Sequence, residues 1–96
     1  MHVVLSDSFP NGFFLGEVED SSDRGAITLA DAVYVDVGEM KPWACRLAIR
    51  DAHACGPPAG VAVLAPPTTI AVVRASAMFE VAGDAESKWM TFLGIT

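Results

Sequence analysis

Three side chains able to bind a metal ion fall within five residues, Asp51-Ala52-His53-Ala54-Cys55, and Cys45 and His2 lie elsewhere in the chain. A structural zinc needs four ligands, usually drawn from two close-spaced pairs. On a helix only Asp51 and Cys55 share a face, at i and i+4, while His53 points elsewhere. There is no Cys-x-x-Cys or His-x-x-x-His pair, so no metal site is expected, and Cys55 reads as a small buried cysteine beside a surface His53. A nucleophilic pair would join Cys45 or Cys55 to His53 or His2, with a third group to orient the base; no spacing here fixes that geometry. Ser6-Asp7-Ser8 has the local spacing of a side-chain turn rather than of a hydrolase triad. Glu17, Glu19, Asp20 and Asp23 lack the late glutamate of a calcium loop. Gly12 and Gly16 belong to no phosphate-loop fingerprint. No catalytic set and no cofactor is expected. What remains is an apolar and aromatic group, Trp43, Met40, Tyr34 and Phe79, with His53 beside it. These line a pocket, form an interface, or pack the core. Trp43 follows Lys41-Pro42 at a helix start, which places it at a subunit contact.

Short strands and two helices must position these residues. Val3-Val4-Leu5 makes a first strand, closed by the turn formers of residues 6–12. Phe13 to Glu19 alternates between two faces, with Gly16 marking a bend or a close backbone approach. A polar loop over residues 20–25 turns the chain into a hairpin, and residues 26–37 return as a long strand. Ala30-Asp31-Ala32 interrupts that strand with a bulge, which bends it. After Gly38, Pro42 opens a helix over about 43–55. Its predicted buried stripe is Ala44, Leu47, Ala48, Asp51, Ala52 and Cys55, and Gly56-Pro57-Pro58 ends it. Residues 61–65 form a further strand, and residues 70–82 form one bent strand, kinked near Ser76, or a strand and a helix turn. Asp84 is placed to cap a C-terminal helix over about 84–93, docked by Trp89, Phe92 and Leu93. This is a single domain over residues 1–96. Its class is mostly β, a small, partly open five-stranded barrel with an inserted helix and a C-terminal helix.

Phe14-Leu15-Gly16-Glu17-Val18, the polar loop, and Ile27-Thr28-Leu29-Ala30-Asp31-Ala32-Val33-Tyr34-Val35 are similar to a pattern in small phage and mobile-element proteins of unknown function. The helical Leu47-Ala48-Ile49 continues the likeness. The same hairpin resembles the second and third strands of SH3-like and Sm-like barrels. The likeness covers residues 13–82 by layout, and specific letters match only over 14–35. It implies a small-barrel fold, and for the phage group no activity. Sm-like barrels form rings that bind RNA through basic or aromatic loop residues, whereas the matching loop here is Asp20-Ser21-Ser22-Asp23.

Charge and composition narrow the partners. Residues 1–40 carry eight acids and one base, and residues 41–96 four acids and five bases, giving −7 and +1 within a total of −6. The acidic half suits a cationic protein partner or a solvated edge, and nucleic acid ranks last. Apolar residues make up 52%, which in so short a chain predicts self-association into a homo-oligomer. No apolar run reaches the roughly 20 residues of a membrane span. No secretory signal is read at the N-terminus, so a cytoplasmic location with free thiols is expected. The functional expectation is a non-catalytic, self-associating binding or assembly module. The alternative is a small-molecule-binding protein or small enzyme with an apolar pocket near Trp43, Met40 and His53.

Overall fold

The structure is a computed structural model. It describes residues 1–21, 26–38, 42–58, 61–63 and 67–94, with the side chains of residues 21, 42–46 and 62 outside the description. Along the chain come β1 (His2–Ser6), β2 (Gly12–Ser21), β3 (Ile27–Asp36), α1 (Pro42–Ala54), β4 (Ala62–Val63), β5 (Thr68–Val72), β6 (Ala75–Glu80) and α2 (Gly83–Leu93). The strands form one antiparallel sheet in the order β4-β3-β2-β1-β6, with β5 also paired to β3.

The β2–β3 hairpin is the spine, and it is broken in the middle. Leu15 pairs with Val33, but Glu17 pairs with Ala30. Two steps along β2 therefore match three along β3, which leaves an extra residue at Asp31-Ala32. Asp31 takes a left-handed φ of 49° there, a conformation aspartate tolerates better than most side chains. Gly16 lies opposite. A Cβ on Gly16 would stand 2.7 Å from Ala32 Cβ and 2.9 Å from Ala32 Cα, so the two strands touch where only glycine fits. The expected bulge and glycine step are thus one device.

That device folds the sheet over. Residues 70–82 are neither one bent strand nor a strand and a helix turn: they hold the end of β5 and all of β6, two strands at opposite edges. Val72 ends β5 beside Ile27, at the hairpin tip, while Ala75 starts β6 beside Ser6 on β1. Three Cα steps join Val72 to Ala75 and reach at most roughly 11 Å. In a flat sheet the lateral separation of β5 from β6 alone is roughly 19 Å. The outer half of the hairpin must therefore bend back across the sheet. The turn that makes the connection carries a second left-handed residue, Arg74, with φ 54°. It is tied down by Ser6, whose hydroxyl donates to the Val73 carbonyl at 2.6 Å and accepts the Ser8 N–H at 3.2 Å. Asp7 N–H also donates to the Arg74 carbonyl. Among the described residues no backbone pairing joins β5 to β6, so the sheet is curled but not closed.

Strand alternation then yields two apolar clusters. On one face Val3, Phe13, Leu15, Val33 and Val35 meet Ala48 and Ala52 of α1 and Ala85 and Trp89 of α2. On the other, Val4, Phe14, Leu29, Ala32 and Val72 pack inside the fold of the sheet. Alanines let α1 approach closely. The buried stripe of α1 is Ala48 and Ala52 with Ile49 partly buried, so Leu47, expected inside, is exposed. At 100° per residue Leu47 is one margin of the expected stripe, and the helix is rotated away from it toward Ile49.

The helix ends are tied to each other. Trp89 Nε1 donates to the Ala52 carbonyl at 2.6 Å, in full burial. The Ala82 N–H donates to the His53 carbonyl at 2.8 Å. Two of the last carbonyls of α1 are thereby satisfied by α2 and the residue before it. The expected cap at Asp84 is displaced. The N-cap of α2 is Ala82, which offers no side-chain acceptor, and Asp84 and Glu86 lie in the first turn, where the helix dipole favours them. Gly94, at φ 75°, closes the other end with its N–H on the Met90 and Thr91 carbonyls.

Candidate functional site

The residues singled out in the sequence separate into two places. Tyr34 belongs to the cluster inside the fold. Its ring lies 5.1 Å from that of Phe14 and 5.5 Å from that of Phe9, and Phe9 stands edge-on to Phe14 at 5.3 Å. Phe9 is the lid of this group and remains 45% exposed. Burial, and secondly the Asp36 carboxylate, raise the Tyr34 phenol above its ordinary value of 10.0. Phe79 packs against the helix-covered cluster, and His53 stacks on it with ring centroids 4.8 Å apart and planes 10° apart. The structure therefore joins His53 to Phe79 and places Tyr34 in the other cluster. Met40 lies outside the described residues, and Trp43 lies on α1 with its side chain outside them. So do the side chain of Cys45 and residues 22–25 of the hairpin loop.

Cys55 is exposed, not buried as expected. Helix α1 stops at Ala54, and Cys55 sits in the turn that follows, its N–H shared with that of Gly56 on the Asp51 carbonyl. Extending the buried stripe by one turn past the helix end misplaces it. Among the described residues no group of three His, Cys, Asp or Glu side chains is arranged to hold a metal ion. His2 sits on β1 opposite Gly16 and Glu80, and its buried Nδ1 has no partner among the described residues.

A cleft opens beside the bulge, lined by Met1, Gly16, Glu17, Asp31, Glu86 and Met90. Tyr34, His53 and Phe79 do not line it. The bulge aims Asp31 outward, β2 supplies Glu17, and the first turn of α2 supplies Glu86. The Met1 amino group donates to Glu17 Oε2 at 3.0 Å, with Glu17 half exposed. Such an exposed pair contributes about 0–1 kcal/mol. The cleft volume is about 150 Å³, against roughly 300–1,000 Å³ for sites that bury an organic ligand. None of its residues was singled out together in the sequence. They are separated by up to some 90 positions, and the local signal was the Gly16 and Asp31 irregularity alone.

The strand edges are the larger open feature. Among the described residues β5 pairs only with β3, and β6 only with β1. Charged side chains, which commonly guard edges, are absent from β5 and reduced to Glu80 in β6. Ser76, Met78 and Glu80 alternate as exposed along β6, and Met78 is 45% exposed. No described helix is long and apolar enough to cross a membrane. Compared with protein-family models, curated proteins and solved structures, the chain matches none of them, so its functional reading rests on its own geometry.

Proposed function

We propose that this chain is a non-catalytic assembly module, a small barrel of the SH3-like or Sm-like type that self-associates through its open strand edges. One observation carries the reading. A two-residue link joins β5 to β6 at opposite edges of a folded-over sheet, and among the described residues both edges keep unpaired backbone groups with almost no charge to guard them. The strand order and the tight β5–β6 connection support the small-barrel type. The pattern over residues 14–35 supports a kinship with small phage and mobile-element proteins. The acidic first 40 residues would then face outward to a cationic protein partner, and nucleic acid ranks last on charge. A cleft of about 150 Å³ favours this reading over small-molecule binding. Native mass spectrometry tests it. A dimer or larger assembly without added mass is the expected result. A monomer at high concentration overturns it, and a monomer carrying extra mass would make ligand binding the function instead.

A further inference from the structure

We infer that the aromatic patch of Phe9 and Tyr34, flanked by the Asp7 and Asp36 carboxylates, is the docking site for an arginine-bearing segment of a partner protein. This rests on the cationic-partner part of the reading above and gives that partner its site. It makes no use of the strand edges.

Local bonds hold Phe9 at the surface. Its N–H donates to the Ser6 carbonyl at 3.1 Å, and the Ser8 N–H donates to the Ser6 hydroxyl. Phe9 meets Phe14 at 90° and Tyr34 at 56°, so neither ring stacks flat on it, and it stays half exposed. Tyr34 lies across Gly12, where a Cβ would stand 2.6 Å from Tyr34 Cζ. The glycine thus leaves room for the ring on the strand. Val73, whose carbonyl the Ser6 hydroxyl holds, adds exposed apolar surface beside the same turn.

The rim is acidic. Asp36 shares a face of β3 with Tyr34, close enough for its charge to act on the phenol. Its Oδ1 accepts the Gly38 N–H at 2.8 Å, which fixes the carboxylate. Asp7 is exposed two positions before Phe9. Among the described residues neither carboxylate makes an ion pair. Arg50 and Lys88 lie on the helices, over the opposite face of the sheet, one beside Asp51 and the other against Gly56. Arg74 is near the turn, but its carbonyl accepts the Asp7 N–H and its guanidinium pairs with neither acid. A cation is attracted to an aromatic face within about 6 Å of the ring centre. A guanidinium can stack there and still give two N–H bonds to a carboxylate. Aromatic rings beside unpaired carboxylates therefore fit an arginine. The same charge disfavours other occupants. A second copy brings its own Asp7 and Asp36, and a nucleic acid or an anionic lipid surface meets two carboxylates.

Amide shift mapping by NMR on the full chain, titrated with tetra-arginine amide, tests the inference. The uncharged tetra-citrulline amide is the control. Saturable shifts should appear over residues 6–12 and 34–36 with the arginine peptide and be absent with citrulline. Phe9→Leu keeps the apolar bulk and removes the aromatic face, and should weaken binding about fivefold. Asp36→Asn keeps the acceptor for Gly38 and removes the charge, and should weaken it about threefold. Tyr34→Phe keeps its ring face and should bind within about twofold of wild type. A melting curve on each variant separates loss of binding from loss of the fold. Shifts centred on residues 17–20, or wild-type binding by both Phe9→Leu and Asp36→Asn, mean that this site is wrong while the cationic-partner reading stands. No saturable change at millimolar peptide, or equal binding of the citrulline peptide, overturns both. Self-association is read separately, by the mass measurement.

Discussion

Under α1 and α2 the sheet presents Val3, Phe13, Leu15, Val33 and Val35 to two alanines of α1 and to Trp89, and all are sealed. The opposite face, with Val4, Phe14, Leu29 and Val72, is covered by the sheet's own folded-over hairpin and closed by a half-exposed Phe9. One face is buried by added elements and the other by curvature. Added elements bring a large side chain with a polar handle into the core, and Trp89 uses both parts. Curvature brings no new side chains, so that cluster is smaller and depends on the geometry of one bulge.

Substitutions can separate the two modes. The largest loss is expected for Trp89→Ala, which empties the helix-covered core and frees the Ala52 carbonyl. About 3–5 kcal/mol should disappear from the unfolding free energy in a denaturant titration. If the loss stays below about 1 kcal/mol, α2 does not hold that face. Gly16→Ala attacks the curvature. Its methyl would meet Ala32 at 2.7 Å, and the backbone at 2.9 Å cannot move aside without undoing the bulge. A cost of about 1–3 kcal/mol is expected, with reduced protection of β5 amides in hydrogen exchange. Ala82→Asp should do the reverse on the helix side, supplying the missing cap acceptor of α2 and raising stability by about 1 kcal/mol. Phe9→Ala removes only the lid, and its chemical-denaturation midpoint should shift by less than about 1 kcal/mol equivalent.

Titration gives the gentlest probe of the curled face. The Tyr34 phenol is raised by burial first and by Asp36 second, so the folded state favours the protonated ring. Its contribution is complete below the ordinary value near 10.0 and is lost as pH rises through the folded value. Melting temperature should therefore fall more steeply above pH 10 in the wild type than in Tyr34→Phe. Equal slopes would mean that the phenol is as well hydrated in the fold as in the open chain.

The features legible in the sequence were those with a local cause. Gly16 and Ala30-Asp31-Ala32 announced the bend because few residue types tolerate those backbones. The α1 limits followed from Pro42 and Gly56, and β1 to β3 from two-residue alternation. The break between β5 and β6 was legible only as a kink near Ser76, and its true place at Val73-Arg74 was not, because arginine carries no turn preference and the turn is held by the Ser6 hydroxyl and Asp7 amide from 67 positions away. The Asp84 cap failed for a related reason. The cap falls two residues earlier, at Ala82, whose N–H donates to the His53 carbonyl, a contact outside any local window. The candidate surface was legible only in part. Phe79 and His53 meet, but the edge formed by residues 74–80 emerges once the long-range pairing of β1 with β6 is known.

Thirty-seven positions separate Trp89 from the carbonyl it closes. A ribosome therefore releases α1 well before the group that finishes it. At 13 residues, α1 is too short to persist in water on its own. Its last turn must wait, unstructured or borrowed by solvent, until residue 89 emerges. A chain cut after Ala82 should consequently show the far-ultraviolet dichroism of a strand protein that has lost two helices, although only one was removed.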